Sequence, residues 1–376
     1  MNTTPLHVGL ALLGDTLEPA REVCIYLDEN FTIQSIEKTP CEEPHFGSSS
    51  LILVPAPANA HTHLGDAAFP EYNTILPLED LVKPPNGLKH QLLRQLDDNQ
   101  FIDNYAQILK EARNAGTGII IDYREGGARG CRLARQAHLK TGLPPKLLLH
   151  GRPSTGENPE ETAEECHGFG LPSPLNYTKK ELTRIFQISK TKDIPVSAHI
   201  AETPKTRKQG DLELLLETGT PDYIVHGLHL SEEDLTLIAE KNIAIAISPS
   251  SNLFHAIGAP KLHLLYKLGI RVAWGTDNAA WNPPWPWREA WLAYLLGRVK
   301  GLKQQDYAKW VLKGLLIEGY RLARLKPPII REGATLNALL INGEQWIIKA
   351  RDVYAALLKR IDTRNLVSYV GNPFLY

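Results

Sequence analysis

The chain has 376 residues, 43% hydrophobic and 22% charged, enough apolar material for one large core. Its 41 lysines and arginines offset 42 aspartates and glutamates, so no global field favours nucleic acid or an anionic membrane, and small-molecule chemistry is the better reading. Four scattered cysteines, Cys24, Cys41, Cys131 and Cys166, without a C-x-x-C pair argue against disulfides and a zinc knuckle and fit a reducing cytoplasm.

The N-terminal MNTTPLHVGLALLGDT has too short an apolar stretch, and no basic flank, for a signal peptide or membrane span. Up to about Ser50 the chain reads as a small β element, with Asp28-Glu29-Asn30 separating two strand-like runs as a hairpin would. In residues 51–66, LILVPAPANAHTHLGD, the apolar run before the two histidines then reads as a strand buried on both faces, as in parallel sheets. Alternation along a strand puts His61 and His63 on one face, at the strand's C-terminal end.

A proline-bearing loop over 71–87 and a helix over 88–115, closed by Gly116, lead to a strand at 117–123. Helical and strand patterns then alternate. Strands fall at 146–150, 168–171, 195–200, 223–226, 243–248 and 271–276, and helices at 130–141, 159–166, 178–191, 205–218, 231–241, 261–268 and 287–299. Eight strands alternating with helices over about 250 residues predict an α/β protein with a closed (β/α)8 TIM barrel. After a helix over 304–324, residues 333–342 read as a strand returning to the N-terminal element. The expected organisation is a barrel over 51–325 and a small flanking β domain built from both chain termini, 1–50 and 326–376.

In such a barrel the chemistry sits at the C-terminal ends of the strands. Three later strands end in residues able to join the first pair: VSAHIAET supplies His199 and Glu202, YIVHG supplies His226, and VAWGTDN supplies Asp277. A lone histidine is more often packing than ligand, and Gly-Thr-Asp serves as a turn elsewhere. So many such residues at one end of four different strands are poorly explained by packing.

The stretches His61-Thr62-His63, His199-Ile200-Ala201-Glu202, Val225-His226-Gly227, Ser248-Pro249-Ser250-Ser251-Asn252 and Gly275-Thr276-Asp277-Asn278 together resemble the amidohydrolase superfamily, in its deaminase and chlorohydrolase branch. The resemblance implies one divalent metal ion per chain, zinc first with iron or manganese as alternatives, held by His61, His63, His199 and Asp277. It places His226 beside the metal-bound water and gives Glu202 the proton traffic to the substrate. Imidazoles with one carboxylate suit Zn²⁺ or Fe²⁺ and leave a position for water, whose pKa falls from near 16 toward about 7. Asp277 then takes the water's proton and a protonated Glu202 gives one to a ring nitrogen, so the catalytic residues are Glu202, His226 and Asp277. The weak strand at 168–171 carries no lysine to bridge two metals, which favours a single ion. Ser248 stands where this branch usually has cysteine.

For substrate binding the candidates are Trp281, as an aromatic wall or else as rigid packing around the prolines, Arg152, as a holder of carboxylate or phosphate or else as half of a structural ion pair, and His255 after the strand-seven motif. Glu125, Asp66 and His229 also lie near strand ends. The implied activity is hydrolytic deamination of an amino-substituted heterocycle, a purine, pyrimidine or pterin derivative, with release of ammonia. The alternatives are a chlorohydrolase or cyclic amide hydrolase on the same metal site, and a non-catalytic scaffold. The expected partner is a small-molecule substrate, with neither nucleic acid nor membrane, and homo-oligomerisation stays open.

Overall fold

The structure, a computed structural model, describes residues 3–73, 75–142, 145–154, 156–343 and 345–371. Four strands come first: β1 (Thr4–Leu13), β2 (Glu18–Leu27), β3 (Ile33–Glu37) and β4 (Phe46–Pro55). The next nine are β5 (Ala58–His63), β6 (Ile119–Arg124), β7 (Lys146–Gly151), β8 (Gly168–Leu171), β9 (Val196–Ile200), β10 (Tyr223–His226), β11 (Ala244–Ile247), β12 (Val272–Trp274) and β13 (Asp277–Asn278). Two more close the chain, β14 (Asn337–Asn342) and β15 (Leu366–Gly371). Strands β5 to β13 form one sheet in the order β12-β11-β10-β9-β8-β7-β6-β5-β13, and the other six form a second in the order β15-β14-β4-β1-β2-β3. The first sheet is the expected parallel barrel. The second is the flanking β element, drawn from both ends of the chain.

The barrel's eighth strand is split. β12 pairs with β11, whereas β13 pairs in parallel with β5, setting Asp277 opposite Thr62 and Asn278 opposite His63. Between the halves, Gly275 lies so close to β5 that a Cβ there would fall 2.6 Å from the His61 backbone nitrogen. Asn59 clamps the same seam, donating to Thr276 Oγ1 (2.8 Å) and accepting from the Thr276 amide (2.9 Å). First and last strands therefore meet at the residues of interest.

Several expectations are corrected. Residues 51–66 are not one strand: Pro55 and Pro57 lack the amide hydrogens a ladder needs, so Leu51–Pro55 runs in the flanking sheet beside β1 and β14, and only Ala58–His63 joins the barrel. The 88–115 helix is two, Leu88–Leu93 and Asp98–Asn114, the second started by Asp97 in a reciprocal cap with Gln100. The 71–87 loop contains a short helix, Leu78–Val82, and the 205–218 helix breaks at Gly210, which adopts φ +78°. The 304–324 helix contains a π-helical turn, Gly314–Glu318.

The cysteine reading is also overturned. Cys24 is bonded to Cys41 and Cys131 to Cys166. Spacing hid this, because the second pair joins the helix Gly127–Thr141 to the segment before β8, neighbours only after folding. Disulfides belong to oxidising compartments, with hyperthermophile interiors an exception, so the cysteines no longer support a reducing cytoplasm. Among the described residues no helix is long and apolar enough to cross a membrane. Cys24 and Cys41 are 17 residues apart, a loop whose closure stabilises by about 3 kcal/mol. Cys24→Ser with Cys41→Ser should therefore lower Tm in scanning calorimetry, and an unchanged Tm would show that the cross-link constrains nothing.

Candidate active site

Every one of the expected metal and catalytic residues lies at one end of the barrel. His61 and His63 end β5, His199 lies in β9, His226 ends β10 and Asp277 opens β13. The ring centroids of His61 and His199 are 4.9 Å apart, and those of His199 and His226 are 5.3 Å apart. Two trios, His61 with His63 and Asp277, and His61 with His199 and His226, each bring three ligand atoms within 4.8 Å of one another. His226 and Asp277 both have positive φ, +67° and +60°, a conformation costing a non-glycine residue on the order of 1–3 kcal/mol and concentrated at functional sites.

The donor set fits a cation. Asp277 Oδ1 approaches His61 Nε2 at 3.3 Å and His63 Nε2 at 3.6 Å, yet neither nitrogen of His61 makes a hydrogen bond, and both are buried. Lone pairs converging without protons between them are what a metal ion satisfies. The far nitrogens set the tautomers. His63 Nδ1 donates to Glu125 (3.1 Å) and His199 Nδ1 to the Leu171 carbonyl (2.9 Å), leaving each Nε2 as a lone pair. Burial, reinforced by Lys89, pushes His63 down to about 3, and burial with the neighbouring His61 and His226 pushes His199 well below the usual imidazole range. Burial would raise Asp277, but the surrounding imidazoles, His61 foremost, hold it well below the carboxylate range. Neutral imidazoles around a charged carboxylate are the ligating forms.

His226 differs. Asn252 Nδ2 donates to its Nδ1 (3.1 Å), which places the ring proton on Nε2, 3.5 Å from Glu202 Oε1 and 4.0 Å from Asp277 Oδ2. In this tautomer His226 Nε2 carries a proton rather than a free lone pair. Glu202 lies two residues past β9, its side chain 22% exposed to the cavity. Burial, with the charge of Asp277, raises its pKa, which favours the protonated acid. Its direction is set by Ala201, at φ +48°, whose amide is held by Asp211 Oδ2 at 2.6 Å.

A cavity of about 630 Å³ opens over this floor, lined by His63, His199, Glu202 and Asp277 below and by Arg152, His255 and Trp281 above. The three expected substrate residues thus share the cavity. Trp281 is also packing: it is 7% exposed and rests against Tyr72 and His255, with ring centroids 4.8 and 4.7 Å away. His229 is elsewhere, donating to the Ile257 carbonyl.

Sequence reasoning missed the supports. Ser251 Oγ donates to Asp277 Oδ2 (2.6 Å), and Ser250 is pinned to the buried Glu289 through its amide and hydroxyl. Both serines lie in the Ser248–Asn252 stretch, so the motif was visible while the division of labour was not. Lys89 is the larger omission: it is 3% exposed, its ammonium 2.9 Å from Asp66 and 2.7 Å from Glu125.

Residues 52–310 match the model of the amidohydrolase family. The chain belongs to that family. It is accordingly a hydrolase of carbon–nitrogen bonds. It is similar to an uncharacterized protein of Methanocaldococcus jannaschii, 30% identical over 334 residues that cover 85% of this chain and 86% of the relative. A 5-methylthioadenosine/S-adenosylhomocysteine deaminase of Thermococcus sibiricus is 26% identical, over 89% of this chain and 84% of its own. Among solved structures, a zinc-bound adenosine deaminase from Xanthomonas campestris superposes with a TM-score of 0.82 at 17% identity, covering 98% of this chain and 92% of the other, a likeness of fold.

Proposed function

We propose that this amidohydrolase is a single-metal hydrolytic deaminase of an amino-substituted heterocycle. The observation that carries the reading is the pair of ligand trios that share His61, one with His63 and Asp277 and one with His199 and His226, with Glu202 beside them in the cavity lining. His61, His63, His199 and Asp277 would hold the ion, zinc by the chemistry of three imidazoles and a carboxylate and by the zinc in the structurally similar deaminase. When bound, the ion supplies a water acidified enough to attack at neutral pH.

The chain's own groups do the rest. Asp277 keeps one oxygen toward the ligand histidines and the other on Ser251, so it stays ionised and oriented to receive a proton. Glu202 holds its proton at Oε1 or Oε2, facing the cavity, and gives it to a ring nitrogen, making the adjacent carbon electrophilic. His226, oriented by Asn252, places its Nε2 proton between Glu202 and Asp277, where it donates to the attacking oxygen and orients it toward the ring carbon. The proton received by Asp277 passes to the amino nitrogen, and collapse of the tetrahedral species then breaks the carbon–nitrogen bond and releases ammonia. The names of the relatives, deaminases of adenosine derivatives, point to purines first.

The test is ammonia release from a panel of amino-purines, amino-pyrimidines, pterins and amino-triazines by zinc-, iron- and manganese-loaded protein. Release from at least one amino ring is expected. Chloride release from chloro-triazines, or ring opening of cyclic amides, with no ammonia from any amino ring would replace this reading.

A further inference from the structure

Arg152 follows β7 and is 9% exposed, yet its guanidinium makes no hydrogen bond to any described residue, and its Nε is buried without a partner. A buried guanidinium without a hydrogen-bond acceptor is costly, and such a group calls for an explanation. Among the described residues its one ion pair within 4 Å is with Glu125 Oε1, at 3.6 Å. That oxygen is already taken, by Lys89 at 2.7 Å and His63 Nδ1 at 3.1 Å, while Glu125 Oε2 accepts from Arg124 at 2.7 Å. The other carboxylates lining the cavity are committed too. Glu79 is paired with Lys205 at 2.7 Å across the mouth, and Glu202 and Asp277 belong to the reaction floor.

Lys89 stands on the same wall. Two of its three N–H groups are accounted for by Asp66 and Glu125, and the third is left for the cavity it lines. The protein therefore presents a fork of planar donors and the remaining N–H of an ammonium to a space of about 630 Å³, ample for a ring with a substituent, and among the described residues no acceptor hydrogen-bonds the fork.

We propose that Arg152 and Lys89 form an anion subsite, so that the substrate is an amino-heterocycle carrying an acidic substituent, carboxylate or phosphate. This rests on the deaminase reading only for the ring. The guanidinium binds two oxygens of the acid side by side and the ammonium takes a third contact, which also explains why Lys89 is held rigidly between two carboxylates.

The experiment uses the zinc-loaded full chain and four rings, adenine, guanine, cytosine and triamino-triazine. Each carries a short alkyl chain ending in amide, carboxylate or phosphonate. Binding is measured by calorimetry and ammonia separately. For at least one ring the carboxylate or the phosphonate should bind at least about 30-fold more tightly than the amide, and which of the two does so identifies the acid. Arg152→Gln should bring that ratio to within about threefold, and Lys89→Gln should lower it, provided each variant keeps the wild-type circular dichroism. Equal binding of amide and acids by wild-type protein overturns the subsite, even if ammonia is released. Acid preference without ammonia from any ring keeps the subsite and removes the deaminase reading.

Discussion

Replacing Glu202 by glutamine should leave the metal in place and lower kcat by about 10²-fold to 10⁴-fold. Glutamine keeps the size of the side chain and a donor near His226 Nε2, now 3.5 Å from the carboxylate, but has no proton to transfer. Glu202 is no part of either ligand trio, so zinc measured by plasma emission should stay near one ion per chain. Its raised pKa sets the pH dependence: the protonated acid is the active form, so activity carried by this group is present at low pH and is lost as pH rises through its folded pKa. That alkaline limb should disappear in the variant. Wild-type turnover in Glu202→Gln would remove the residue from the mechanism, and loss of zinc would make it a ligand or a structural support.

The second large effect is expected at the ligands. His61→Ala deletes the residue common to both trios, whereas His63→Ala and His199→Ala each remove a lone pair oriented by a fixed partner, Glu125 or the Leu171 carbonyl. Each change should abolish stoichiometric zinc and lower kcat/KM by at least about 10³-fold, as expected when the ion that acidifies the water is lost. A readout independent of turnover is available. An ion at a thousand times its Kd stabilises a protein by about 4 kcal/mol, so adding zinc should raise the Tm of metal-free wild-type protein and leave that of His61→Ala unchanged. Asp277→Asn should lose metal and activity together. Two ions per chain at full occupancy would overturn the single-metal assignment.

The clustering of the candidate site was legible in the sequence because its residues obey a local rule: histidines and an aspartate at the ends of strands whose apolar runs declare them. His61 and His63 needed only alternation to share a face. The supports obey no such rule. Lys89 sits in a stretch that reads as an ordinary helix surface, and its burial follows from the separate packing of Leu88–Leu93 against the cavity. Cys131 and Cys166 are 35 residues apart and meet only because β7 carries the chain between them. The run at 51–66 misled because hydrophobicity is continuous across Pro55-Ala56-Pro57 while the hydrogen-bonding partners change from one sheet to another.

The seam at the split eighth strand bears on how the enzyme comes to be made. His61 and His63 leave the ribosome about two hundred residues before Asp277, the residue that pairs beside them. Until His199 emerges the nascent chain offers only a bare pair of imidazoles, and until Asp277 emerges it lacks both the carboxylate that confers charge and the Gly275 and Asn59 contacts that lock the two strands in register. Stoichiometric loading is therefore expected only after translation of the whole barrel, and a ribosome-bound chain stalled before residue 199 should hold zinc no better than any exposed His-x-His.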